Sequence, residues 1–289
     1  MLSWGKSSQR PAILFSLGNV FEGECFMRIT RRDFVALAAG TAAASPLMRV
    51  SPGAAVETST KLRIKAVAFD AFPIFDPTPI FDLAAEMFPG STLSDEWRTR
   101  QFEYCWLRAA AKHYADFWRV TEEALIFAAN KLKLTLSAEQ RSTLMNAYLQ
   151  LKTWPDVVPA LESVRRANVR IAFLSNFTNK MLEANIQRAG LKGMFEQVLS
   201  TDLAKTYKPD PRAYQLAQDA LRVKRQEILF VASAGWDAAG ATLFGYPTYW
   251  VNRQGLPAEE LGVRSDGCGA SLNDLVRFLA SRDSSSNTG

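Results

Sequence analysis

Ile64-Lys65-Ala66-Val67-Ala68-Phe69-Asp70 is the stretch that decides the fold: an apolar, β-branched run that stops at a carboxylate and continues into Ala71-Phe72-Pro73-Ile74-Phe75-Asp76. A buried strand that delivers an acid at its C-terminal end puts that acid at the ligand-binding edge of an open α/β sheet. Taken alone, Asp70 reads equally well as a turn residue closing the strand. The rest of the chain supplies its partners.

Outward from this strand the pattern changes twice. Residues 80–153 have helical periodicity almost without strand signals: Asp95-Glu96-Trp97-Arg98 through Phe117, Thr121-Glu122-Glu123-Ala124 in the form of a capping box, and Ser137-Ala138-Glu139-Gln140 through Leu151. After Trp154-Pro155 strands and helices alternate. The pattern predicts a helix to Ala167, a strand over 169–174, a helix over 179–189, a short strand over 197–199 and a helix over 211–221. A strand over 228–231, a helix from Trp236 and a strand over 248–251 follow. Such alternation implies an α/β fold with a doubly wound, Rossmann-like parallel sheet. Its core is expected over 63–79 and 154–280, with an all-helical cap over 80–153 inserted after the first strand, and the polar residues 281–289 read as a mobile tail.

Of the 289 residues, 48% are hydrophobic and 22% charged, which is globular rather than disordered composition. Residues 1–55 carry Lys6, Arg10, Arg28, Arg31, Arg32 and Arg49 against Glu22, Glu24 and Asp33, so three of the five net positive charges lie there. The remainder is close to neutral and has no basic stripe, which argues against a nucleic-acid partner. In that leader Thr30-Arg31-Arg32-Asp33-Phe34 precedes the weakly apolar run from Val35 to Ala44, and Gly53-Ala54-Ala55 offers small residues for cleavage. This order resembles a bacterial twin-arginine signal, implying passage through the twin-arginine translocase and a periplasmic location. The run is too short and too rich in alanine to span a membrane. Met27 just ahead of it offers an alternative start, which would make residues 1–26 an upstream extension.

Beyond the leader only Cys105 and Cys268 remain, too few for a disulfide framework, and both are expected as buried free thiols. A single histidine, His113, and no Cys-x-x-Cys pair leave a zinc site without ligands, so no metal is expected. Chemistry gathers instead at the predicted strand ends: Asp70, Ser175-Asn176, Tyr207-Lys208-Pro209-Asp210, and Ser233 through Asp237. Adjacent parallel strands lie about 5 Å apart, so these groups can converge on one crevice. A carboxylate nucleophile, a cation that keeps it ionised and a second carboxylate to assist water form a covalent-catalysis set.

The order of Asp70, Ser175-Asn176, Lys208-Pro209 and Asp237 resembles the haloacid dehalogenase superfamily. Trp97-Arg98-x-x-Gln101-x-Glu103-Tyr104-x-Trp106-Leu107-Arg108, Tyr207-Lys208-Pro209-Asp210 with Tyr214, and Trp236-Asp237-Ala238-Ala239-Gly240-Ala241 resemble its L-2-haloacid dehalogenases of type II, over about residues 63–279. That resemblance implies hydrolytic dehalogenation of short 2-haloalkanoic acids without a cofactor. Asp70 would attack the halogen-bearing carbon, and the ester so formed would be hydrolysed by water that Asp237 orients or activates. Lys208 would hold the carboxylates, Arg98 and Asn176 would take the halide, and Ser175 would help bind the substrate carboxylate. Phe72, Phe102, Phe117 and Trp236 would wall an apolar pocket, with Tyr214 beside them. The resemblance also implies a possible homodimer formed through the cap.

Phosphatases of the superfamily place a general acid two residues after the nucleophile, where this chain has Phe72, which cannot protonate an alkoxide. Pro73-Ile74 stands where the dehalogenases have glycine and a hydroxyl residue, and Ala232 and Ala234 stand where they have serine and asparagine. A hydrogen bond to a charged group is worth about 1.5–3 kcal/mol, roughly one to two decades in rate if made in the transition state. Three readings therefore stand beside one another: a dehalogenase, slow or changed in substrate; a catalytically impaired relative that binds a small carboxylate or a protein partner; and a hydrolase of another substrate such as a phosphate ester.

Overall fold

The computed structural model describes residues 63–286; the stretch expected to be a twin-arginine leader and residues 287–289 lie outside the described residues. The strands are β1 (Ala66–Phe69), β2 (Phe75–Asp76), β3 (Lys152–Thr153), β4 (Arg170–Ser175), β5 (Gln197–Ser200), β6 (Ile228–Ala232), β7 (Thr248–Val251) and β8 (Gly267–Gly269). Six of them form one sheet in the order β5-β4-β1-β6-β7-β8. Every pairing in it is parallel.

Alternation along the three central strands builds the two layers. Val67, Phe69, Ile171, Phe173, Leu229 and Val231 face one apolar cluster, while Ala66, Ala68, Ala172, Leu174, Ile228, Phe230 and Ala232 face the other. A period of two on strands buried on both faces is what places helices above and below the sheet.

Nine helices are described: α1 (Thr78–Met87), α2 (Leu93–Ala110), α3 (Phe117–Lys131), α4 (Ala138–Ala147), α5 (Val157–Arg166), α6 (Asn179–Arg188), α7 (Pro211–Leu221), α8 (Gly235–Phe244) and α9 (Leu272–Ser286). The first four form the insert after β1. Its base is an antiparallel ribbon in which Phe75 pairs with Thr153 and Asp76 with Lys152. The ribbon is braced where Trp154 Nε1 donates to the Phe72 carbonyl at 3.0 Å and Arg253 forks onto Asp156 at 2.9 and 3.0 Å.

Local chemistry sets most helix starts. Ser137 and Gln140 form a capping box at the start of α4, Thr178 caps α6, and Asp210 with Pro211 in the first turn opens α7. The Thr121 signal misleads. α3 begins at Phe117 because Asp116 accepts from the Arg119 N–H at 2.8 Å, and Thr121 lies mid-helix with its hydroxyl turned back onto the Phe117 carbonyl.

Two further expectations are corrected. The last helix, α9, runs to Ser286, so it takes in residues 281–286 of the stretch expected as a mobile tail; Leu272, Leu275 and Leu279 anchor one side of the helix, and its turns propagate past them. Cys105 is buried, but Cys268 is exposed, because it sits on β8, the outermost strand.

Candidate active site

β1 lies where the chain winds first to one side, into β4 and β5, and then to the other, into β6 to β8. The crevice of a doubly wound sheet opens at such a switch point. Phe69 is in register with Phe173 and Val231, so the next residue, Asp70, emerges between the ends of β4 and β6. Its backbone N–H donates to the Val231 carbonyl at 2.9 Å.

The two oxygens of Asp70 have different surroundings. Oδ1 accepts from Lys208 Nζ at 2.8 Å and from the Ser175 hydroxyl at 3.2 Å. Among the described residues, Oδ2 accepts only a long bond, 3.3 Å, from the Phe72 N–H. Lys208 is 1% exposed and its ammonium also donates to Asp237 Oδ2 at 2.7 Å. Asp237, in the first turn of α8, receives the Tyr214 hydroxyl on Oδ1 at 2.7 Å.

Burial opposes the charge on Lys208, but the carboxylates of Asp237 and Asp70 outweigh it and hold its pKa above the ordinary lysine value. Burial pushes the Asp237 carboxyl up to about 6 although Lys208 and Tyr214 favour its ionised form. A buried carboxylate of that pKa is chemically able to accept a proton near neutral pH. Burial and the neighbouring Asp237 charge raise Tyr214 well above the usual phenol, so it acts as a donor.

Around these groups Phe72, Phe102, Phe117, Phe177 and Trp236 close a cavity of about 20 Å³ that Asn176 and Ala234 also line. That volume suits about one water molecule. The lid is aromatic: Phe102 and Trp106 of α2 meet Trp236 edge-on, with centroids 5.4 and 5.6 Å away. Beside it the Tyr114 hydroxyl bonds Asp202, and the Tyr207 hydroxyl donates to the Ala115 carbonyl.

A family model of haloacid dehalogenase-like hydrolases matches residues 64–245. The chain belongs to that family. It is 41% identical to an (S)-2-haloacid dehalogenase of Pseudomonas sp. (strain YL), over 75% of this chain and 94% of that one. It is 36% identical to haloacetate dehalogenase H-2 of Moraxella sp. (strain B), over 75% of this chain and 99% of the relative. The solved L-2-haloacid dehalogenase from Xanthobacter autotrophicus with chloropropionic acid covalently bound superposes with a TM-score of 0.69 at 33% identity, covering 75% of this chain and 98% of that one.

Of the residues expected from the haloacid dehalogenase resemblance, Asp70, Phe72, Phe102, Phe117, Ser175, Asn176, Lys208, Trp236 and Asp237 line the cavity. Tyr214 does not; it stands behind Asp237. Ser175 spends its proton on Asp70 and not on an outward-facing ligand. Arg98 is exposed, its guanidinium 5.7 Å from the centroid of Phe81. It is displaced because Trp97, one residue earlier, owns the inward direction and donates its indole N–H to the Thr121 carbonyl. Ile74 packs wholly in the core and contributes its carbonyl to the Trp154 N–H, and Ala232 is buried in the opposite cluster; only Ala234 of the three substituted positions borders the cavity.

Sequence reasoning missed Phe177, which packs on Phe72 and Phe117 at 5.3 and 5.5 Å, and Thr201, whose hydroxyl meets Asn176. Phe177 follows the strand end at Ser175-Asn176 already singled out, and Thr201 follows the predicted strand over 197–199; position after a strand end was the available signal.

Proposed function

We propose that this hydrolase cleaves the carbon–halogen bond of short (S)-2-haloalkanoic acids through an ester on Asp70. The observation that carries the reading is the division of labour between the two Asp70 oxygens inside an aromatic cage. Oδ2, the less engaged oxygen, attacks the halogen-bearing carbon; the carbon–halogen electron pair leaves with the halide, and desolvation by the rings strengthens the nucleophile. Oδ1 then becomes the ester carbonyl, already facing Lys208 Nζ and the Ser175 hydroxyl. Charge that develops on Oδ1 as water adds to the Asp70 carboxyl carbon is met by donors in place beforehand. Asp237 takes one proton of that water and returns it to the departing alkoxide oxygen, so that collapse releases the 2-hydroxy acid with inverted configuration, and loss of the remaining carboxyl proton to solvent restores Asp70.

The names of the relatives support a 2-haloacid or haloacetate substrate. A halide acceptor is at hand in Asn176, whose carbonyl is occupied by other donors. Arg98 lies one helical turn before Phe102, four residues apart and hence on the same helix flank, so its guanidinium joins the halide when substrate parts the aromatic lid. The substitution at Ala234 thins the support for water and makes ester hydrolysis the slow step. Phosphoryl transfer is disfavoured by Phe72 at the general-acid position. The leader supports export by the twin-arginine route to the periplasm; replacing Arg31 and Arg32 with lysines should leave the protein unexported, and undiminished export would refute that route.

Incubation of the metal-free protein with (S)-2-chloropropionate and with chloroacetate, followed by halide and hydroxy acid assays, tests the reading. Equimolar halide and hydroxy acid are expected. Absence of both halide and any adduct on Asp70 would overturn it in favour of a binding protein.

A further inference from the structure

From the hydrogen bonds behind the cavity, we infer that Thr201 is a positioning residue that sets the halide preference of the site by locking the Asn176 amide. Ser175 and Ser200 are register partners on β4 and β5, so the residues that follow them, Asn176 and Thr201, come side by side at the sheet's C-terminal edge. The Thr201 hydroxyl donates to Asn176 Oδ1 at 3.3 Å, and the Lys208 backbone N–H donates to the same oxygen at 3.0 Å. Both groups are buried, Thr201 fully and Asn176 to within 6%.

An amide has one accepting and one donating end. With two donors converging on Oδ1, a rotated Asn176 would aim its NH2 at an N–H and a hydroxyl, so the donating end is the one presented to the cavity that Asn176 lines. A halide needs donors, and a carbonyl turned toward it would repel it. Lys208 contributes its backbone to this lock and its ammonium to Asp70, so the halide end and the nucleophile end of the site are set by one residue and its neighbour across the strand gap. Thr201 is the member whose side chain alone does the locking.

This inference rests on the dehalogenase reading for its kinetic consequence but not for its binding consequence. Bromide and iodide titrations of tryptophan fluorescence, in which Trp236 beside the cavity reports a saturable component, measure halide affinity without turnover. Thr201→Val keeps the shape and removes the donor, and it should weaken halide binding by about two- to tenfold, the span of one neutral hydrogen bond. Thr201→Ser keeps the donor and should restore affinity. In turnover the chloride-to-iodide ratio of kcat/KM should fall in Thr201→Val, since the smaller and more strongly hydrated halide depends most on a fixed donor. A loss due to general loosening would lower all halo acids alike, and melting temperatures of the variants identify it. If Thr201→Val does not fold, Thr201→Cys, with its weak donor, should bind halide less tightly than both wild type and Thr201→Ser.

Unchanged halide affinity in Thr201→Val, or equal losses in Thr201→Val and Thr201→Ser, would overturn the assignment. Wild-type protein that binds halide with this dependence on Thr201 but releases none from any halo acid would instead overturn the dehalogenase reading and leave the lock standing.

Discussion

Removing the hydroxyl of Tyr214 should move the pH at which the ester intermediate breaks down. Asp237 is 1% exposed, and its ionised form is held by the Tyr214 hydroxyl on one oxygen and Lys208 on the other, both at 2.7 Å. Its carboxyl lies at about 6, so turnover that needs the carboxylate falls as the pH drops through that value and is sustained above it. Tyr214→Phe deletes a donor that favours the ionised form. A hydrogen bond to a charge is worth about 1.5–3 kcal/mol, and one pKa unit is about 1.4 kcal/mol, so the limb should rise by roughly one to two units. At pH 7 that costs about two- to tenfold in rate, with recovery near pH 9. Because Asp237 acts after the halide has left, the shift belongs in kcat and in the decay of the trapped ester, while kcat/KM, which ends at alkylation, keeps its profile. Rapid-quench measurement of ester decay against pH, in wild type and Tyr214→Phe, reads it directly. A limb at the same pH in both proteins would refute Asp237 as the base or the bond as a determinant of its ionisation.

Asp70→Asn should abolish halide release and the covalent adduct seen by intact mass, since the amide lacks an anionic oxygen; retained activity would eliminate Asp70 as nucleophile. In wild type, excess 2-halo acid should give a stoichiometric burst of halide and then a slow phase, and a linear time course would show that water is held by groups other than those named. Ala234 is the N-cap of α8 with no side-chain cap bond, so Ala234→Asn should raise stability by about 1 kcal/mol in chemical denaturation and speed the slow phase without enlarging the burst. Arg98→Lys should lower kcat/KM by at least about tenfold, because a point charge cannot reproduce the guanidinium fork; unchanged kinetics would return Arg98 to a solvated helix position.

The strand that ends on Asp70 and the alternation after Trp154 were legible because each is local: side-chain period and branching act within a few residues. So were the strand-end groups, since a parallel sheet gathers carboxyl ends whatever lies between. Pairings between distant segments were not legible. The two-residue ribbon of β2 and β3 and the Gly267–Gly269 strand are too short for any period and exist only by virtue of their partners. Thr121 looked like a cap and was overruled by Asp116 and by a buried contact with Gln101 from α2. Only the tertiary structure decided that Asp70 offers one anchored and one lightly held oxygen, that Tyr214 backs Asp237 and does not face the cavity, that Arg98 lies over Phe81, and that Thr201 fixes an amide. The sequence determines which groups reach the edge of the sheet; which way each side chain points is settled by what its neighbours, far away in the chain, leave room for and hydrogen-bond.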